Sequence, residues 1–345
     1  MKTEERDHIY PAHTRLSHNE LLDRIAQVLV LNIQSIQPVG LQGKLLAAAF
    51  CCRYAVLAEK PSYGHFGIHA ISSIFGEAIL HDTTNPDLLN SLTGIGWMIM
   101  FLQRKQFFDM ENTKEMVSFI DRSMHHEIER ISRGDSNNIK EELNILLSSL
   151  IYIMEHYKSV SENNQVELLM RDEFLLLIIN KVMDILNEHK ELPEISHYQS
   201  PFLSLLHQVK NHLPAADHFA SLTIEFLHTI PAPPFPDTNM LIDDADIYEQ
   251  EWNCTYALLQ RKIKADSTEM TVLRNKLVLN ACQTLESTLL LNNNSRRKSV
   301  STQLIQLAES GHLLLDITMP AHQQLPGYYW DAKAIHLFTE NPFIS

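Results

Sequence analysis

With 345 residues, 45% of them hydrophobic and 20% charged, the chain has the material for a large packed core, which excludes disorder over most of its length. A formal net charge of -14 excludes a nucleic-acid partner held by phosphate contacts, and leaves room for a basic peptide or a small molecule. Four cysteines (Cys51, Cys52, Cys254 and Cys282), none in a Cys-x-x-Cys pair, are too few for a disulfide scaffold. The charged start "MKTEERDHIY" has no apolar segment behind it, and no uncharged apolar run is long enough for a bilayer. The expectation is a cytoplasmic protein without signal peptide or membrane span.

Residues 1–16 read as a tail. The first helix, "SHNELLDRIAQVLVLNI", opens with Ser17 three residues before Glu20, the spacing of a capping box, and places Leu22, Ile25, Leu29 and Ile33 at helical intervals. "GLQGKLLAAAFCCRYAVL" follows from Gly40, with Cys51 and Cys52 reading as small buried apolar residues. "SLTGIGWMIMFL" sets Gly94 and Gly96 at the head of another buried helix, although glycine weakens a helix by roughly 1 kcal/mol. "VSFIDRSMHHEIERI" puts Val117, Ile120, Met124, Ile128 and Ile131 on one stripe. Its adjacent His125 and His126 point in different directions, and such a pair rarely shares one metal.

After the polar break "RGDSNN" (133–138) comes "NILLSSLIYIMEHY" from Asn144, then "SENNQ" (161–165) and "DEFLLLIINKVMDIL". That last segment is apolar on nearly every side and reads as a helix packed between neighbours. "YQSPFLSLLHQV" starts near Tyr198. The proline-rich "PAPPFPD" (231–237) reads as a loop across one end of a helical array rather than a domain boundary. The acidic "DDADIYEQE" (243–251) precedes "EWNCTYALLQRKI", and "DSTEMTVLRNKLVLNAC" has a second capping-box pattern in Asp266 and Glu269. "NNNSRRKS" (292–299) reads as an exposed loop before "STQLIQLAESGHLLL" at 301. Period-two alternation is lacking, so the chain is expected to be all-α.

The aliphatic-rich helices begin near residues 40, 91, 144, 198, 250 and 301, in steps of 51, 53, 54, 52 and 51, with one further amphipathic helix between each pair. A repeat of that length holding two helices means stacked helical hairpins. Such hairpins form an open solenoid, or close into a ring with the more apolar helix of each pair inside.

Here the residues resemble the lanthionine synthetase C-like family. Its inner helices open with a Gly-Leu-Ala-Gly-Ile-Gly type motif. "SLTGIGW" is similar to that motif, "GLQG" at 40–43 to its opening, and "SHYQSPFLSLL" at 196–206 to its Ser-His-Gly-Leu-Ala-Gly variant. The resemblance covers roughly residues 20 to 320. It implies an α/α toroid of six to seven stacked hairpins, forming one domain over 17–345. It places Gly94 and Gly96 where a helix N-terminus turns into the ring and a missing side chain lets backbones approach.

Active members of that family are zinc enzymes that add a cysteine thiol to a dehydrated serine or threonine of a precursor peptide. The ligands come from Trp-Cys-Tyr-Gly on the fifth inner helix and Cys-His-Gly on the sixth. In this chain Tyr248 falls at the first cysteine when the fifth helix is anchored on "TYALL". Cys254 serves only after a shift of about six residues. "RRKSVSTQL" has neither cysteine nor histidine, and Cys282 lies about twenty residues too early. The expectation is that the zinc site is lost and that no cofactor is bound.

His197, an acid/base position in the family, survives. It is the candidate catalytic residue, or a hydrogen-bonding histidine if the metal is gone. Gly94, Gly96, Trp97, Tyr248 and Trp252 are the candidate cavity and peptide-binding residues. The favoured function is a non-catalytic member that binds a precursor peptide or a peptide-maturation enzyme. The alternatives are a zinc cyclase with rearranged ligands (Cys254, Cys282 and His197) and an α/α-barrel carbohydrate enzyme, which needs two carboxylates across a cavity.

Overall fold

The first helix, α1 (His18–Asn32), starts as the sequence spacing requires. The Ser17 side chain accepts from the Glu20 backbone, while the Glu20 carboxylate accepts from the Ser17 backbone at 2.7 Å. The computed structural model describes residues 17–37, 39–80, 91–107, 113–134, 138–159, 165–189 and 297–325, together with helical positions at 198, 202, 205–207, 209, 221, 224–225, 278 and 281–285. After a 3-10 turn (Ile33–Ser35) come α2 (Lys44–Ala58), α3 (Pro61–Leu80), α4 (Leu92–Arg104), α5 (Thr113–Ser132), α6 (Ile139–Ser159), α7 (Gln165–His189) and α8 (Arg297–Thr318). A second 3-10 turn, Ala321–Gln323, follows α8. Every element among the described residues is helical: the protein is all-α. None of these helices is long and apolar enough to cross a membrane.

Burial sorts the helices into two kinds that alternate along the chain. Unbroken buried runs cover 44–55 in α2, 93–102 in α4, 145–156 in α6 and 307–316 in α8. Side chains on all sides of these helices have left water, each large aliphatic contributing about 1.5–3 kcal/mol. The intervening α1, α3, α5 and α7 bury one face only. In α1 that face is Leu21, Leu22, Ile25, Ala26, Val28 and Leu29. In α5 it is Met116, Ile120, Met124, Ile128 and Ile131, the stripe expected from sequence, with Val117 at its half-buried edge.

Four sequence expectations are corrected. The α7 segment is not enclosed: Ile178, Ile179, Val182, Ile185 and Leu186 are buried, but Leu177 is exposed. α6 begins at Ile139, five residues before the aliphatic run, because its first turn is acidic (Glu141, Glu142). α2 begins at Lys44 rather than Gly40, since residues 40–43 form a turn closed by the Gly43 amide on the Gly40 carbonyl at 3.0 Å. Residues 297–299, expected in a loop, are the start of α8.

α2 packs closely on α3, α4 on α5 and α6, and α6 on α7. α8, from the other end of the chain, packs on α1 and α2. Two hydrogen bonds fasten this junction across 264 residues: Gln37 N donates to Ser301 Oγ at 2.8 Å, and Ser301 Oγ donates to Gln37 O at 2.7 Å.

Glycines set the closest approaches. A Cβ on Gly67 of α3 would sit 2.8 Å from the Ala48 carbonyl oxygen and 2.5 Å from Cys52 Sγ, so α2 and α3 touch almost backbone to backbone. A Cβ on Gly96 of α4 would meet the Tyr152 ring of α6 at 2.7 Å; one on Gly311 of α8 would meet the Phe50 ring of α2 at 2.5 Å. One device is therefore used at both junctions, a helix glycine receiving an aromatic ring from the neighbouring buried helix.

Candidate functional site

The buried helices carry polar groups at both ends. At the N-terminal end of α4, Ser91 caps the helix by accepting from Gly94 N at 3.2 Å. A hydroxyl relay runs from there into α6. Ser148 donates to Ile145 O at 3.0 Å and receives Thr93 Oγ1 at 2.9 Å, and Ser91 Oγ lies 2.9 Å from Thr93 Oγ1. Each hydroxyl has one proton, so the direction is fixed: Ser91 donates to Thr93, Thr93 to Ser148, Ser148 to the backbone. Tyr198 continues the polar rim by donating to Asn144 Oδ1 at 2.7 Å.

Gly94, Gly96 and Trp97 lie together in the buried run of α4. What comes close to Gly96 is the Tyr152 ring and the Ile120 methyl. Trp97 is fully buried and stacked on Phe101, ring centroids 5.7 Å apart. Cys282 is half-buried against the core. His197, Tyr248, Trp252 and Cys254 lie outside the described residues, as do Asp266, Glu269 and the acidic 243–251 segment.

At the C-terminal ends stands a cluster that sequence reading missed. Arg53 of α2 has no exposed surface. Its Nη2 donates to Asp316 Oδ1 of α8 and to Gln323 O at 3.3 Å; its Nη1 lies 2.8 Å from His312 Nδ1. A guanidinium only donates, so Nδ1 of His312 is the acceptor and its proton is on Nε2, which donates to Leu46 O at 2.9 Å. The geometry therefore requires a neutral His312 beside a compensated Arg53–Asp316 ion pair. Asp316 Oδ1 also accepts from Leu325 N at 3.1 Å, and Gln324 Nε2 caps Asp316 O at 2.7 Å. The cluster thus clasps residues 319–325 beneath α2. It orders the turn after α8 and joins α8 to α2. The sequence signal was a charged residue inside an apolar run, "AAAFCCRYAVL", matched by His312 and Asp316 one turn apart in "SGHLLLDI".

A second buried pair repeats the theme one step along. Arg104 Nε of α4 donates to Glu155 Oε1 of α6 at 2.5 Å, and Glu155 is fully buried. Arg104 and Glu155 are 51 residues apart, and Arg53 precedes Arg104 by the same interval. The fully buried rings of Phe50, Phe101 and Tyr152 keep that interval too. Lys105, beside the pair, is held below the usual lysine range by burial and then by the neighbouring Arg104 charge.

Among the described residues no three histidine, cysteine, aspartate or glutamate side chains are grouped to hold a metal ion. Where the resemblance puts a Cys-His pair, at the head of the sixth inner helix, Ser301 uses its hydroxyl on both the amide and the carbonyl of Gln37. Burial pushes the Cys51 thiol up to about 12, and Cys52 further still, so neither supplies a thiolate at neutral pH.

No family model, curated protein or solved structure matches the chain.

A separate polar knot ties α1, α2 and α3. Asp23 accepts from Tyr54 OH at 2.9 Å, Lys60 Nζ at 2.5 Å and Gln27 Nε2 at 3.0 Å. Lys60 first, then the Tyr54 and Tyr63 hydroxyls, hold the Asp23 carboxyl below its ordinary range against the opposing effect of burial. His125 and His126 diverge as expected: His125 packs edge-on to Phe174 and pairs with Glu129, while His126 is exposed.

Proposed function

We propose that the chain is a lanthionine synthetase C-like α/α toroid without the catalytic zinc site, acting as a binding scaffold for a precursor peptide or a peptide-maturation enzyme. The observation that carries this reading is the return of α8 to α1 and α2. The helices buried all round, α2, α4 and α6, follow one another, and α8 meets α2 through the glycine-and-ring contact that α4 makes with α6. A row of buried helices with α8 seated beside α2 supports a ring in which the buried helices form the inner wall and the one-faced helices the outer layer. The side chains support the loss of chemistry. A three-ligand zinc site needs thiolates and imidazole, whereas the matching positions hold Tyr248 and the serines of "RRKSVSTQL". The net charge of -14 suits a basic leader segment.

The test is metal analysis of full-length protein purified without chelator, alongside an assay of thiol addition to a dehydroalanine-containing peptide. The reading expects zinc far below one per chain, no thioether formation above background, and peptide binding seen by fluorescence anisotropy. Stoichiometric zinc with cyclisation would restore the enzyme. A crystal structure with the buried helices in an open row would remove the ring.

A further inference from the structure

Outside the ring reading, and independent of it, α3 carries a second arrangement of chemistry. Its buried side is set by Gly64, Gly67, Ile71 and Ile74, with Gly67 pressed on Ala48 and Cys52 of α2. Its opposite side holds His65 and His69, both exposed. Residues four apart in a helix lie one above the other, with Cβ atoms about 5–6 Å apart. Two imidazoles so placed converge on one ion, as they do wherever a helix supplies two metal-binding histidines at this spacing. Neither imidazole makes a hydrogen bond, ion pair or ring contact with another described residue, so among the described residues none competes for their nitrogens. The near backbone-to-backbone packing of α3 on α2 fixes the helix that spaces them.

We propose that His65 and His69 form a two-imidazole site for a divalent transition-metal ion of the zinc, nickel and copper class, with water in the remaining positions. Imidazole suits these metals, whereas magnesium and calcium prefer oxygen ligands and are not bound. The site lies on the exposed face of a helix that buries one face only, away from the helix ends where the resemblance places zinc. Its open positions leave room for a ligand from a partner.

The experiment is calorimetric titration of the full chain with zinc chloride in a non-coordinating buffer, repeated with copper(II) and read by electron paramagnetic resonance for nitrogen coupling. His65→Ala and His69→Ala each weaken zinc binding at this site about tenfold or more, and both remove the two-nitrogen copper signature. Moving the second imidazole one position round the helix, as His69→Ala with Ala70→His, fails to restore it. These residues are exposed, so the variants keep the helical circular dichroism of the parent. Isotherms that coincide for the parent and His69→Ala would overturn the proposal. So would a relocated histidine binding as well as the original, since that would mean metal taken up by any surface imidazole.

Discussion

Replacing glycine by alanine at two helix-interior positions should move stability in opposite directions. Alanine is favoured over glycine in a helix by about 1 kcal/mol. At Gly76, exposed in α3, an added Cβ meets nothing within 4 Å, so Gly76→Ala realises most of that gain. At Gly96 the Cβ would stand 2.7 Å from Tyr152 Cε2 and 2.8 Å from Ile120 Cδ1. The tyrosine ring cannot retreat. It is fully buried, and its hydroxyl is held by Asp121 at 2.7 Å. Overpacking of this kind costs about 1–3 kcal/mol, which leaves Gly96→Ala destabilised by up to about 2 kcal/mol after the propensity gain. Trimming the obstacle, as Gly96→Ala with Tyr152→Leu, should give a loss smaller than the sum of the two single losses. Urea unfolding followed by circular dichroism measures this, with unchanged m-values confirming that midpoint shifts report stability. If Gly96→Ala raised the midpoint as Gly76→Ala does, the ring would not lie against that helix, and the packing that joins α4 to α6 would be wrong.

Three further outcomes follow from the polar groups. Arg53→Met strands the Asp316 carboxylate and should cost about 3–5 kcal/mol in urea unfolding, while Arg53→Met with Asp316→Leu should recover most of that loss. The Asp23 carboxyl is depressed in the folded state, so its contribution is present above the unfolded carboxylate value of about 4 and lost as pH falls through the folded one. The stability gap between the parent and Asp23→Asn should therefore be constant at neutral pH and shrink below about pH 4. Cys51 and Cys52, with thiols raised by burial, should escape alkylation at pH 8 in native protein and be labelled once it is unfolded, as peptide mass spectrometry would report.

Local chemistry was the part most open to reading. The Ser17–Glu20 capping box and the stripes of α1 and α5 depend on neighbours within one or two turns, and both stand in the structure. Apolar density was a poorer guide. The α7 segment is as greasy as an enclosed helix, yet Leu177 faces out, because composition does not say how many sides have neighbours. The α6 start is hard to read because its acidic first turn has no apolar marker. The Arg53 cluster leaves only a charged residue in an apolar run as its sequence signal, because its partners lie 259 to 270 residues away and only the fold joins them. At Gly96 the expectation of approaching backbones is corrected: what comes close is the Tyr152 ring from α6 and the Ile120 side chain, again a tertiary fact.

The meeting of α8 with α1 and α2 has a consequence for biosynthesis. At roughly 5–20 residues per second, a ribosome needs about ten to fifty seconds to travel from Gln37 to Ser301, the 264 residues their hydrogen bonds span. For most of that interval α2 has been made while the flank that α8 covers is still open. A nascent chain so exposed is a substrate for holding chaperones, and truncated products that end before α8 should be the first to aggregate.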